Sequence, residues 1–190
     1  ILLFVAYTVV SEIFPGDSFL ALATVGTLAT IPMHIAVTAS ISNDTMAELV
    51  LALILLLAVK RVQGKVDDKR FILLGGILFG AALVTKTTAY LPGAVLLIGT
   101  AWVSSFKFQV SRSTIYTLPL LFTTAILLSS PMFIRNMLTY GITDPLGLAR
   151  HDAVVLGQPT TAEMILQYGW FCFLFVVCAV TFISFWVQFG

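Results

Sequence analysis

Charge is what this sequence has least of: 10% of its 190 residues are Asp, Glu, Lys or Arg, against roughly 25% in soluble domains. Ten Lys and Arg oppose nine Asp and Glu, a formal net charge of +1. No basic field exists to displace counterions from a phosphate backbone, which excludes a nucleic-acid partner. Cysteine is nearly absent. Cys172 and Cys178 stand six apart in the last apolar run, a spacing that fits neither a disulfide framework nor a zinc-ligand pattern, so they read as small lipid-compatible or core residues. His34 and His151 are too isolated to form a metal pair and read as packing or loop histidines. No G-x-S-x-G elbow, Gly-rich phosphate loop or Cys-x-x-Cys-His haem site occurs, which removes the common soluble hydrolase, nucleotide and cytochrome classes.

What is present is apolar: 59% of the chain is hydrophobic, the composition of a membrane protein. Polar or basic clusters cut it into runs at 1–10, 19–40, 46–59, 71–85, 89–103, 115–134 and 168–189. Continuous runs rich in Leu, Ala, Ile and Gly predict helices, which satisfy their own backbone groups in lipid; the alternation of a β-barrel is missing. The expected fold is an all-α polytopic bundle with about seven membrane passes, a transmembrane domain over 1–190. A full span takes about twenty residues, so the shorter runs either end in snorkelling Lys and Arg or make short spans. The chain starts at Ile1 without Met or a basic flank and stops in an apolar run at Gly190, the pattern of an internal fragment of a longer chain.

Basic residues orient the passes. Lys60, Arg61, Lys65, Lys69 and Arg70 share one loop, and Lys107 and Arg112 lie near a second; both are expected to face the cytoplasm. Asn43-Asp44, the turn at Lys86 and the stretch 135–167 then fall outside, with Lys86, Arg135 and Arg150 as the external cations. The connection at Glu12 falls inside although it carries no positive charge. The segment 135–167 is expected as one extracytoplasmic loop roofing a site; it holds Tyr140, Pro145 and Pro159, and connections this long are usually functional or disordered. Trp102, Trp170 and Trp186 lie near span ends, as interfacial anchors do.

The outer ends carry the polar residues. Asp44 and Glu48 stand four apart, on one helical face, where two carboxylates suit metal binding or acid/base chemistry. The structural alternative is local: Thr45 and Glu48 match the S/T-x-x-E capping box, and acids near a helix N-terminus are favoured by its dipole. Asn43-Asp44-Thr45 is also a glycosylation sequon. Lys86 interrupts an apolar stretch whose Gly76 and Gly80 have the spacing that admits a close helix neighbour. An ammonium in hydrocarbon costs at least about 2.5 kcal/mol, so Lys86 either meets an anion or snorkels to the headgroups. Arg135, after Pro131-Met132-Phe133-Ile134, offers a fork for phosphate or carboxylate, or pairs with lipid headgroups.

Taken in order, Pro32…Ser42-Asn43-Asp44-Thr45-Met46-Ala47, a basic loop, Leu73-Leu74-Gly75-Gly76…Gly80…Leu83-Val84-Thr85-Lys86-Thr87-Thr88-Ala89…Pro92, and Pro131-Met132-Phe133-Ile134-Arg135-Asn136…Tyr140-Gly141…Asp144-Pro145-Leu146-Gly147 resemble the GT-C superfamily of membrane glycosyltransferases. The nearest likeness is to glycosyltransferase family 39, the protein-mannosyltransferase and aminoarabinose-transferase-like enzymes, and it covers roughly residues 20 to 150. Thr87 stands where the family often has glycine. The resemblance implies an enzyme of the bacterial cytoplasmic (inner) membrane that passes a sugar from a polyprenyl-phosphate carrier to an acceptor on the extracytoplasmic face. It places the principal catalytic carboxylate, a base or a partner for a divalent metal ion, in a first outer loop upstream of Ile1.

Within this chain the resemblance makes Asp44 a catalytic candidate and Lys86 and Arg135 binders of the substrate phosphate. Glu48, Asn136, Tyr140 and Asp144 would support them. Two other functions stay open: a non-catalytic integral membrane subunit that packs against partner subunits of a larger complex, and a transporter using Lys86 and Asp44. The absence of an inverted repeat and the position of the charges at span ends argue against the last.

Overall fold

A computed structural model describes residues 1–40, 42–108, 113–154, 157 and 160–186; Arg112, Pro159 and the side chains of Lys107 and Trp186 lie outside the described residues. Helices account for the regular structure, and no strand occurs among the described residues. In chain order they are α1 (Leu2–Ile13), α2 (Ser18–Thr30), α3 (Pro32–Ala39), α4 (Asp44–Val62), α5 (Asp68–Thr85), a 3₁₀ turn (Thr87–Ala89), α6 (Tyr90–Phe108), α7 (Ser113–Tyr140), α8 (Leu148–Val154) and α9 (Thr161–Trp186). Among the described residues each apolar run of the sequence falls on helix. One run is broken: α2 and α3 meet at a 69° bend, because Pro32 has no N–H to continue the ladder and restricts Ile31 before it.

Helix starts follow local chemistry. Asp67, with extended backbone, accepts from the Arg70 N–H at 2.8 Å and caps α5; Asp17 accepts from the Leu20 N–H at 2.9 Å at the start of α2. The capping box expected at Thr45 and Glu48 does not form. Asn43 already has helical backbone, α4 begins at Asp44, and the Thr45 hydroxyl donates instead to the Val37 carbonyl at 3.2 Å. The same S/T-x-x-E pattern forms a true box at the start of α9. There the Glu163 carboxylate accepts from the Thr160 N–H at 2.7 Å and the Thr160 hydroxyl accepts from the Glu163 N–H at 3.3 Å, so each side chain satisfies one orphan donor.

Three segments are long and apolar enough to cross a membrane, Thr87–Phe106, Tyr116–Tyr140 and Thr161–Ile183, with the bent α2–α3 pair a fourth if it counts as one span. Two compact units divide the chain. The first, Ile1–Ala29 with Val37–Pro131, is built on α4, whose Ala47, Val50, Ile54 and Leu57 recur at helical spacing and are buried. They join Phe71, Phe79 and Ala82 of α5, Leu97 and Ala101 of α6, and Leu121 and Ala125 of α7.

Glycine sets the approach of α5 to its neighbours. A Cβ on Gly76 would lie 2.7 Å from Thr124 Cβ and 3.0 Å from the Leu121 carbonyl oxygen, and one on Gly80 would lie 3.2 Å from the Ala125 carbonyl oxygen. The expected close approach at this Gly pair is therefore made, against α7. Phe79 and Phe122 meet edge to face beside it, with ring centroids 5.3 Å apart.

The second unit, Thr30–Ala36 with Met132–Gly190, holds the end of α7, the turn 141–147, α8 and α9. Helix α7 runs through Tyr140, so Arg135, Asn136 and Tyr140 stand on helix at the start of the stretch expected as loop; α9 takes in its other end from Thr161. The apolar span of α9 has none of its length buried, and Cys172 and Cys178 are free and exposed upon it, which suits small residues in contact with lipid.

Candidate functional site

Helix α5 ends at Thr85 and the next helical residue is Thr87, which leaves Lys86 in extended backbone (φ −159°, ψ 135°). That single extended residue turns the lysine side chain out of the helical stack. Its Nζ donates to Asp44 Oδ1 at the start of α4. The orphan carbonyls of α5 are satisfied around it: Ala82 O accepts from the Lys86 N–H at 3.2 Å, Leu83 O from the Tyr90 hydroxyl at 2.5 Å, and Thr85 O from Asn43 Nδ2 at 3.1 Å. Asn43 and Asp44 thus reach the same helix end from α4, one by an amide bond and the other by an ion pair.

The pair is half-exposed, 36% for Lys86 and 40% for Asp44. Asp44 lies outside the apolar run 46–59, and its carboxyl is held below its ordinary value of 3.8, first by the hydrogen bond from Lys86 and against a smaller opposing effect of burial. Ser42 Oγ accepts from the Asp44 N–H at 3.3 Å. One turn along, Glu48 shares the Asp44 face and its Oε2 is shielded from solvent.

The other end of α4 is charged as well. Glu12, at the end of α1, pairs with Lys60 at 3.6 Å and with Lys65, and its carbonyl accepts from Gln63 Nε2 at 2.5 Å. Arg61 bonds Asp68 and the Val66 carbonyl, the latter at 2.7 Å, with its guanidinium 5.6 Å from the centre of the Phe71 ring. Glu12 therefore lies at the end of the first unit that carries the basic loop, the side the expected orientation assigns to both. The axial rise of α4 from Asp44 to Val62, at 1.5 Å per step, separates the two clusters by roughly 27 Å, close to the thickness of a hydrocarbon core.

In the second unit Arg135 is exposed, and among the described residues nothing pairs with its guanidinium. Asn136 Nδ2 donates to the Pro145 carbonyl at 3.1 Å, tying the turn back onto α7. Asp144 is 9% exposed and its Oδ2 accepts from the Arg150 N–H at 3.0 Å, which anchors α8. The turn passes through Gly141 and Gly147 at φ +101° and +72°, left-handed backbone that glycine adopts without a steric penalty. A Cβ on Gly147 would lie 3.3 Å from the Tyr140 ring.

These contacts wall an open cleft of about 590 Å³ lined by Thr139, Tyr140, Thr143, Asp144, Ala149 and Arg150. Asn136, Tyr140 and Asp144 are thus assembled in one unit, and Asp44, Glu48 and Lys86 in the other. The part of Asn43 in holding the end of α5 is not anticipated by its sequon, nor is the capping role of Tyr90; Thr139 and Thr143 carry no motif that would have singled them out. Among the described residues no group of three His, Cys, Asp or Glu converges to hold a metal ion, and Lys86 already engages the Asp44 carboxylate.

Comparison of the chain with protein-family models, with curated proteins and with solved structures finds no match in any of the three.

Proposed function

We propose that the protein is an integral membrane glycosyltransferase of the GT-C type, transferring a sugar from a polyprenyl-phosphate carrier to an acceptor at the extracytoplasmic face of a bacterial inner membrane. The observation that carries the reading is the junction of Asp44 with Lys86. Two motifs 42 residues apart, both taken from the ordered resemblance, meet at one helix end with Asn43 beside them. Transfer breaks the bond between the anomeric carbon and the carrier phosphate, whose oxygen keeps the electron pair; the acceptor heteroatom bonds to that carbon and gives its proton to a carboxylate. Charge develops on the leaving phosphate, so fixed cations at that point lower the barrier.

An ammonium has three N–H donors, and Asp44 engages Lys86 through one contact, which leaves donors for a phosphate oxygen. Arg135, in the second unit, carries a planar fork that is itself suited to phosphate. Asp44, kept ionised by Lys86, orients that lysine.

Seven passes belong to the same proposal. Besides the three long apolar spans, α4 and α5 are bracketed by charge at both ends and suit short spans whose Lys and Arg snorkel. Single cysteines at positions 65 and 142, in a Cys172→Ser/Cys178→Ser background, would then react with an impermeant maleimide from opposite faces of the membrane.

The test of activity uses the full-length natural protein, purified into nanodiscs with synthetic polyprenyl-phosphate-linked hexoses and membrane extract as the acceptor source, reading free polyprenyl phosphate by mass spectrometry. Wild-type protein releases it, and Lys86→Ala and Arg135→Ala each slow release about 10²-fold or more, the scale of losing a donor to a developing anion. No release from any hexose carrier, or equal rates in all three proteins, overturns the reading.

A further inference from the structure

We infer that the cleft between the end of α7 and α8 is a binding site for the hydroxyl groups of a sugar. The residues that line it bring a carboxylate, a guanidinium, two threonine hydroxyls and a tyrosine ring. The turn uses only part of this set for its own support: Asp144 gives Oδ2 to the Arg150 N–H, and Thr139 donates to the Arg135 carbonyl at 2.8 Å. Among the described residues nothing else binds Asp144 Oδ1, the Thr143 hydroxyl or the Arg150 guanidinium.

A ligand filling this cleft must therefore donate to a carboxylate oxygen and accept from a guanidinium at once. A hydroxyl does both, and neighbouring hydroxyls on one ring do so in the plane of the Arg fork. A free phosphate carries net negative charge near neutral pH, and the nearly buried charge of Asp144 repels it. A simple cation is repelled by Arg150. Tyr140 adds an apolar surface: one edge of its ring rests on Gly147, while the side chain stays 40% exposed for the C–H face of a pyranose. The volume, about 590 Å³, falls within the range of small-molecule sites.

The inference deepens the transferase reading, since a sugar subsite serves donor or acceptor, but its test stands apart from catalysis. Arg150 holds the turn through its backbone N–H alone, so Arg150→Gln removes the guanidinium and leaves the anchor to Asp144 intact. Thr143→Val removes one hydroxyl with little change of shape.

The experiment is saturation-transfer NMR on the whole protein in amphipol, free of sugar detergents, with D-glucose, D-mannose and D-galactose as probes and inorganic phosphate as competitor. At least one hexose receives saturation from the wild-type protein; Arg150→Gln weakens its binding about tenfold, Thr143→Val weakens it less, and phosphate does not displace it. No saturation of any hexose, saturation unchanged in both variants, or displacement by phosphate at equal concentration overturns the site. Carrier turnover in the assay above with no hexose signal here would sink the cleft alone, and a hexose signal lost in Arg150→Gln without carrier turnover would sink the transferase alone.

Discussion

Lys86 Nζ meets Asp44 Oδ1 across 42 residues, and the contact exists because one residue between α5 and the 3₁₀ turn leaves helical geometry. The pair is more than a third exposed on both sides, so its worth to folding is small, about 1 kcal/mol or less. Its larger consequence is electrostatic: the lysine is held in place with its charge matched. Asp44→Asn is expected to change the unfolding midpoint only slightly while slowing carrier cleavage. The exchange Asp44→Lys/Lys86→Asp should recover stability and not turnover, because it restores a pair and moves the cation away from its position. Unfolding in SDS together with the lipid-release assay distinguishes the two readouts.

Acid should weaken both charged ends of α4. Asp44 is held below its ordinary 3.8, chiefly by the hydrogen bond from Lys86, and Glu12 below its ordinary 4.5, chiefly by that from Lys65. The native protein therefore releases these protons more readily than the unfolded chain, so stability from both groups is full above those ordinary values and is lost as pH falls through the lower native ones. The melting temperature in amphipol should hold from pH 7 to about pH 5 and drop below pH 4. Asp44→Asn and Glu12→Gln should each flatten the acid limb; a limb unchanged in both variants would show that neither pair is made.

Much of this architecture was legible in the sequence. Among the described residues every apolar run is helix because a continuous apolar period leaves the backbone no other way to pair its polar groups, and Pro32 marks the break within one of them. The partnership of Asp44 with Lys86 was not legible, since nothing local links a helix start to a residue two elements later. The capping box was misplaced for a local reason: Thr45 and Thr160 carry the same pattern, and only the backbone of the preceding residues decides which of them is a cap. Asp144 could be singled out by resemblance, but the cleft it shares with Arg150 depends on α8, a helix of 7 residues too short to announce itself by periodicity.

Gly76 and Gly80 should behave differently from glycines in open positions. A Cβ at Gly76 lands 2.7 Å from Thr124 Cβ and 3.0 Å from a backbone oxygen, and neither neighbour is the far end of a flexible side chain. Gly76→Ala must therefore push α5 from α7, at a cost of about 1–3 kcal/mol, with Gly80→Ala milder at 3.2 Å. Gly99, on α6, has nothing within 4 Å, and there alanine gains up to about 1 kcal/mol from helix propensity. Unfolding midpoints of the wild type and the three variants should fall in the order Gly99→Ala, wild type, Gly80→Ala, Gly76→Ala. Equal midpoints for Gly76→Ala and Gly99→Ala would show that α5 and α7 do not touch there.

Gly169 divides α9 into two helical pieces, with φ +76° and ψ 157°. That region of backbone space is essentially closed to residues with a Cβ, at a cost of about 1–3 kcal/mol. Space is not the obstacle, because a Cβ at this position meets nothing within 4 Å. Gly169→Ala therefore has two courses: it pays the strain, or the residue drops into helical backbone and joins the two pieces into one helix. The second removes the strain and adds continuous hydrogen bonding, so it is the expected result. Spin labels on cysteines placed at 164 and 177, in a Cys172→Ser/Cys178→Ser background, would report it by pulsed electron resonance. In the alanine variant the distance should rise to that of a straight helix, roughly 20 Å for thirteen residues at 1.5 Å each, and stay shorter with glycine. The same distance in both proteins would mean that α9 is not broken at Gly169.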